Sequence, residues 1–385
     1  MDASTTPILE IGVILLAAVA GGWVARRLHL PAIVGYLAVG LGFSPFTPGY
    51  VPDSHQLEIL ADVGVVLLLF EVGIEVDLTR LRRDHGPLLW AAPAQTFLST
   101  AIAGFVFYAV GFEPTAAALI GLCVALSSSV VIVNITVSRR RTTDKSTERA
   151  LLGWSVLQDL VGVAMAAILL AAMDPGGRTL AEASAGLVGF GLVTLATARA
   201  LPWVLRRLHD EHDLFLIASV GSGLALAGLG AAVFGVPLAL AAFVGGLAVA
   251  ESHEANEARR RMRPFRDVFA VLFFVSIGTL IDPSRLGEAA PSIAILILLV
   301  AVAKVGVAWL LARVAGEVRP LQLAVGLGQI GEFSFVLASA GLAAGAIDAV
   351  LFTAVIAAVA ISIAVSSIAV RLVGGSPPPA TQPIA

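Results

Sequence analysis

Asp159 stands in the middle of the apolar run GWSVLQDLVGV (153–163). Ser155, Gln158, Asp159 and Gly162 fall at i, i+3, i+4 and i+7, so they share one helix face. An ionised aspartate at the centre of a bilayer costs about 2.5–3.5 kcal/mol on insertion scales. Such a carboxylate holds either a proton or a monovalent cation, but hardly both. Apolar surroundings favour its neutral form and a nearby cation favours the charged form. Gln158 supplies a neutral oxygen beside it. The other deep charge is Lys304, within AILILLVAVAKVGVAWLLARVAG (294–316). It lies too deep to snorkel and needs an anionic or carbonyl partner. Asp159, Glu332 and the carbonyl ends of interrupted helices are the candidates. Structural and mechanistic roles for Lys304 stay open.

Two runs look interrupted. One contains three hydroxyls, Ser127, Ser128 and Ser129, in ALSSSV (125–130). The other reads GLGQIGEF (326–333), with Gln329 and Glu332 among three glycines. Glycine weakens a helix by about 1 kcal/mol relative to alanine. The two runs are the fifth and twelfth spans, seven apart, so they cross the membrane in opposite directions. That is the pattern of an inverted-topology repeat of two six-helix halves, with the seventh span as connector. Unwound backbone at membrane depth is tolerated only where it lines a cavity or is buried in protein. Two antiparallel breaks bring positive and negative dipole ends together, where cations and charged side chains help to balance them. The alternative is that the serines bond back to carbonyls within an intact helix. Glu332 is read as a dipole balancer or a ligand.

These residues need a membrane around them, and composition requires one. Of 385 residues, 58% are hydrophobic and 13% charged, against roughly 25% charged in a soluble domain. Mean hydropathy is +0.94. Soluble enzymes and nucleic-acid binders are excluded, and no cofactor is expected. The single cysteine, Cys123, rules out an intrachain disulfide and a cysteine metal site. Apolar runs place thirteen spans near 7–25, 31–48, 56–76, 87–111, 114–137, 149–173, 179–201, 213–233, 236–251, 266–282, 289–315, 321–346 and 348–373. With the N-terminus outside, Arg178 and Arg285 alone of the 24 basic residues fall in outer segments and Lys304 in mid-span. All the others are on the inner side, as the positive-inside rule demands. Arg26 and Arg27 follow the first apolar run, the reverse of a signal peptide. The expectation is an all-α polytopic protein of the cell membrane with a cytoplasmic C-terminus. Residues 1–373 form the membrane domain and 374–385 a Pro-rich, disordered tail.

Other polar residues read more plainly. Asp62, Glu71 and Glu75 in the third span pair locally or line a vestibule. Segment 251–266 (ESHEANEARRRMRPFR) is a charged inner linker or surface helix in contact with lipid headgroups. His209 and His212 lie among Asp210, Glu211 and Asp213 in an inner loop, a poor metal site.

ALSSSVVIV (125–133), GWSVLQDLVGV (153–163), LFFVSIGTLID (272–282) and GQIGEFSFVL (328–337) occur in this order, preceded by LLLFEVGIEVDL (67–78). Together they resemble the second family of monovalent cation:proton antiporters, which includes Kef-type potassium/proton antiporters and related sodium/proton exchangers. The resemblance implies a core of spans four to six and eleven to thirteen (about 87–173 and 289–373). It implies a panel that forms a homodimer (about 7–76 and 213–282), with 179–201 as connector. It also implies elevator-type alternating access. Asp159 matches the family's ion-binding aspartate, Gln158 the residue before it, and Lys304 a membrane lysine paired with the core aspartate. Gln329 and Glu332 match the twelfth-span motif. Gln before Asp resembles the Kef-type pattern and leans toward potassium. Kef-type proteins continue into a nucleotide-binding regulatory domain, and no Rossmann fingerprint is present here. Such gating would need a separate cytoplasmic subunit.

The expected activity is exchange of K+ or Na+ for H+, with Asp159, Gln158, Ser127, Ser128 and Ser129 as the cation and proton site. The partners are these ions, membrane lipid and a second copy of the chain, with no nucleic acid. The competing reading is a symporter, or a channel or sensor, on the same scaffold.

Overall fold

The computed structural model describes residues 5–28, 30–48, 50–51, 54–75, 86–128, 131–132, 143–173, 180–236, 238–250, 252–331 and 333–373. Every regular element among them is helical. Ser129, Glu332, the basic residues 80–83 and 139–141 and the tail lie outside the described residues. The chain divides into two compact units, Met1–Leu78 with Ala167–Ser284, and Thr79–Ala166 with Arg285–Ala385.

The first unit contains α1 (Thr5–Arg27), α2 (Ala32–Gly42) and α3 (Ser54–Glu75). The second unit begins with α4 (Leu88–Ala109), α5 (Pro114–Ala125) and most of α6 (Lys145–Ala172). The chain then returns to the first unit for α7 (Leu180–Arg207), α8 (His212–Ala232), α9 (Leu238–Ala250) and α10 (Ala255–Thr279). It re-enters the second for α11 (Leu286–Leu299), a π-helical stretch Val300–Gly306, α12 (Val307–Val314), α13 (Pro320–Gly326), α14 (Phe333–Ala343) and α15 (Ala349–Val373).

Seven helices among the described residues are long and apolar enough to cross a membrane, and four more are apolar but shorter. Two of the short ones, α5 and α14, are arms of the interrupted runs. From Ala255 the expected inner linker or surface helix at 251–266 is helical and continues without a break to Thr279. Its arginines find acidic partners there, which sustains the helix. Arg261 Nε lies 2.5 Å from Glu257 one turn earlier. Arg259 donates to the buried Glu71 carboxylate at 3.0 Å, and Arg266 contacts its other oxygen. Glu71 is thus paired locally.

Small residues let the first unit's backbones meet. A Cβ on Gly246 of α9 would lie 3.0 Å from Gly73 Cα of α3 and strike the Phe70 carbonyl. Helix association in lipid relies on such close contact. Around it pack Leu67, Phe70 and Ile74 with Leu205, Phe215, Val249 and Met262.

In the second unit, Asp144 starts the helix that carries Asp159. Its Oδ1 accepts from the amides of Ser146 and Thr147, both at 2.9 Å, which satisfies two donors of the first turn. Arg319 Nε lies 3.0 Å from Oδ2. Burial alone would raise the Asp144 carboxyl. The bonds from Thr147 and Ser146 and the Arg319 charge outweigh it and hold it below the ordinary carboxylate value.

Two outcomes are expected. Gly246→Val should lower the melting midpoint of the detergent-solubilised protein, since overpacking costs about 1–3 kcal/mol; an unchanged midpoint would contradict the close approach of α3 and α9. The Asp144 contribution is complete above the ordinary carboxylate pKa and is lost as pH falls through the lowered folded value. Asp144→Ala should therefore cost about 0.5–2 kcal/mol near neutrality. The difference between variant and parent melts should shrink on acidification.

Candidate functional site

The site is built where two helices stop. Helix α5 ends at Ala125, and Leu126 turns to extended geometry, with φ −83° and ψ 140°. Helix α13 ends at Gly326, and α14 begins only at Phe333. The two gaps cross. The Gly331 amide donates to the Leu126 carbonyl at 3.0 Å. Ser127 Oγ donates to the Leu327 carbonyl at 2.9 Å, and Gln329 Nε2 to the Ser128 carbonyl at 3.4 Å. A Cβ on Gly331 would sit 2.5 Å from the Ser127 carbonyl oxygen. The glycine that disfavours a helix at this point is therefore also the residue that lets the strands of backbone touch.

Freed backbone groups at this depth need partners, and each break finds several. Lys304 Nζ donates to the Leu126 carbonyl at 2.5 Å and to the Gln329 carbonyl at 2.6 Å. The Lys304 side chain thus ties the end of α5 to the backbone gap after α13. The Ile330 amide donates to Ser362 Oγ at 3.0 Å, and Ser366 Oγ lies 2.8 Å from the Val325 carbonyl. Ser334 Oγ donates to the Cys123 carbonyl at 2.9 Å. Ser128 Oγ accepts from the Val131 amide at 3.2 Å.

Helix α6 runs directly beside the crossing. A Cβ on Gly162 would strike the Leu126 side chain. The face carrying Gly162 also carries Ser155, Gln158 and Asp159, all at most 1% exposed. Asp159 and Lys304 interact electrostatically. Gln158 Oε1 and Ser155 Oγ have no hydrogen-bond partner among the described residues. This face offers a carboxylate, an amide oxygen and a hydroxyl in a water-poor setting, the oxygen chemistry that suits a proton or a hard monovalent cation. Trp154 and Leu157 of the same helix pack into an apolar cluster with Ala91, Ala308, Leu323 and Leu327.

Among the candidates read from the sequence, the structure gathers Ser127, Ser128, Lys304 and Gln329 at the crossing, with Gln158 and Asp159 alongside. Ser129 and Glu332 are outside the described residues. His209 Nδ1 lies 2.8 Å from Glu254 Oε2, far along the chain from this face. No group of metal-binding side chains occurs among the described residues. Residues that the sequence reading passed over are Gln95 and Ser99 of α4 and Ser362 and Ser366 of α15. All four are buried. Both pairs are polar residues at i, i+4 in apolar runs, which was the available signal.

Interrupted, crossing helices around a buried carboxylate define the architecture of a secondary membrane transporter. The chain belongs to the sodium/hydrogen exchanger family, whose transmembrane model matches residues 14–374. It is an integral membrane protein. It is 32% identical over 356 residues to YbaL of Escherichia coli (strain K12), described as a cation/proton antiporter, covering 88% of this chain and 63% of that protein. It is 30% identical over 341 residues to KefB of Alkalimonas amylolytica, described as a K(+) efflux antiporter, covering 84% of this chain and 50% of that protein. The chain thus spans less than two thirds of the length of either relative. Two structures of the sodium proton antiporter MjNhaP1 from Methanocaldococcus jannaschii share the fold. One, at pH 8, has 16% identity and a TM-score of 0.67 over 96% of this chain and 98% of that one. The other, an electron-microscopy structure, has 18% identity and a TM-score of 0.70 over 98% and 100%.

Replacing Lys304 by Met takes its donor from the Gln329 carbonyl and leaves the Leu126 carbonyl with the Gly331 amide alone; a buried polar group left unsatisfied costs about 1–3 kcal/mol. The Lys304→Met protein should melt at a clearly lower temperature than the parent in detergent. Equal midpoints would show that the ammonium does not hold the crossing together.

Proposed function

We propose that this chain exchanges a monovalent cation, K+ or Na+, for H+ across the membrane, with Asp159 as the shared site. The observation that carries the reading is the position of the Asp159 carboxylate, on one buried face with Gln158 and Ser155, against the crossing of two interrupted helices. A proton and a cation compete for that carboxylate. Deprotonated Asp159 takes the cation together with Gln158 and oxygens of the Ser127–Ser129 break. The loaded site then opens to the other side, the cation leaves and a proton rebinds. Either load neutralises the carboxylate and lowers the cost of burying it. The empty, charged form crosses poorly, and that couples the two fluxes.

The amide before the aspartate, like the relative described as a K(+) efflux antiporter, favours K+ as the cation. Alternating access runs as an elevator, with the core (about 87–173 and 289–373) moving against the panel of a homodimer and 179–201 as connector. The thirteen-span topology puts the N-terminus outside and the C-terminus in the cytoplasm of the cell membrane. The two bonds of Lys304 to carbonyls favour a structural lysine whose protonation does not change during the cycle, and so one-for-one exchange.

Asp159→Asn keeps the side-chain shape and one oxygen but cannot carry a proton in exchange. In vesicles loaded with a pH-sensitive dye, cation-driven proton movement should fall to background while the protein still folds. Undiminished exchange in that variant refutes the assignment. Ion flux without counter-flow of protons in the parent would mark a channel instead.

A further inference from the structure

Behind Gln158 lies a hydrogen-bond chain whose direction is forced at both ends. Trp154 Nε1 sits 3.2 Å from Gln95 Oε1, and an indole N–H can only donate. At the far end Ser99 Oγ lies 2.7 Å from the Ala303 carbonyl, which can only accept. The single hydroxyl proton of Ser99 is therefore spent on Ala303, so toward Gln95 the serine accepts. The Gln95 atom facing it, at 2.9 Å, is Nε2. The two ends agree: Gln95 points its oxygen toward Trp154 and its nitrogen toward Ser99. Gln158 contacts that same Gln95 oxygen, and only its nitrogen can do so. A second acceptor-only group, the Ala125 carbonyl at the α5 break, lies 3.4 Å from Gln158 Nε2 and 3.5 Å from Gln95 Nε2. Both nitrogens are held on this side. Gln158 Oε1 is left on the other, buried and with no hydrogen-bond partner among the described residues.

We infer that Gln95 is a positioning residue that decides which end of the Gln158 amide faces the ion. The inference rests on the reading of Gln158 and Asp159 as the cation site. An amide has an attractive oxygen and a repulsive NH2 of nearly the same shape. Turning it over replaces a ligand by two donors without changing packing. Free in a cavity, Gln158 would sample both. The Trp154–Gln95–Ser99 chain removes the second choice and presents an oxygen, ready for a cation, beside the Asp159 carboxylate. Such pre-orientation strengthens cation capture in particular, because a proton on Asp159 needs no help from Gln158.

The test uses the full chain in proteoliposomes, with dye-reported proton flux measured against K+ and Na+ in turn. Gln95→Met keeps length and volume but removes the side-chain acceptor of Gln158 and leaves its amide only the longer contact to the Ala125 carbonyl, at 3.4 Å. Its Michaelis constant for the cation should rise about tenfold, the loss of one hydrogen-bond-strength contact to a charge, while the maximal rate changes far less. Gln95→Glu keeps an oxygen toward Trp154 and Gln158 in either protonation state and should return the constant toward the parent value. In a Gln158→Leu background, Gln95→Met should add nothing further. If Gln95→Met fails to fold, Ser99→Ala combined with Trp154→Phe leaves Gln95 present but unoriented, and the constant should rise there too. A parent-like constant in both cases, or full additivity with Gln158→Leu, overturns the positioning role. Asp159→Asn in the same assay separates the two readings. If it is inactive while Gln95→Met is parent-like, only the positioning role falls; if it still exchanges, the site itself is wrongly assigned.

Discussion

The second unit is organised around one lysine side chain. Lys304 meets the carbonyls of Leu126 and Gln329, which belong to two helices that stop in mid-course. Without that donor the Gln329 carbonyl would lose its Lys304 bond at membrane depth and the Leu126 carbonyl would keep only the Gly331 amide, and a buried carbonyl left unpaired costs free energy. With it, the crossing becomes a hydrogen-bonded joint. The remaining bonds across the gap, from Gly331, Ser127 and Gln329, are neutral and fill in the rest. Asp159 interacts electrostatically from α6 with a lysine already held by backbone.

This arrangement separates two jobs that a buried lysine can perform. A lysine held only by a carboxylate is released when a cation takes that carboxylate. A lysine with two carbonyl partners keeps its place when the carboxylate is neutralised. The architecture around Lys304 therefore favours a lysine that keeps its place, consistent with the proposal that the occupancy of Asp159 changes.

Much of this was legible in the residue order, for physical reasons. Charged residues in apolar runs are costly, so Asp159 and Lys304 announced themselves. Glycines around Gln329 and hydroxyls at 127–129 marked the breaks, and the apolar runs gave a membrane protein of helices. The family match and the fold of MjNhaP1 agree with a helical membrane protein. Whether Lys304 would answer to Asp159, Glu332 or carbonyls was not legible, because partner choice depends on how helices far apart in the chain are packed. Gln95 was missed because a neutral amide in an apolar run costs little and stands out less than a charge. The segment 251–266 was read as a linker or a surface helix, and from Ala255 on it is helical, with Glu71 and Glu257 as partners of its arginines. The π-helical stretch left no mark in composition at all.

That stretch has a geometric consequence. A π turn fits one more residue into the winding than an α turn does, so the helix leaving Gly306 is rotated relative to the helix arriving at Val300. The two portions of this element no longer share a common stripe along their length. Leu296 and Leu299 before the stretch and Ala308 and Ala312 after it are each buried, yet they follow separate angular phases. The wider winding also sets the azimuth at which Lys304 and the Ala303 carbonyl leave the axis, so a local irregularity in coiling acts as the alignment key for the whole junction.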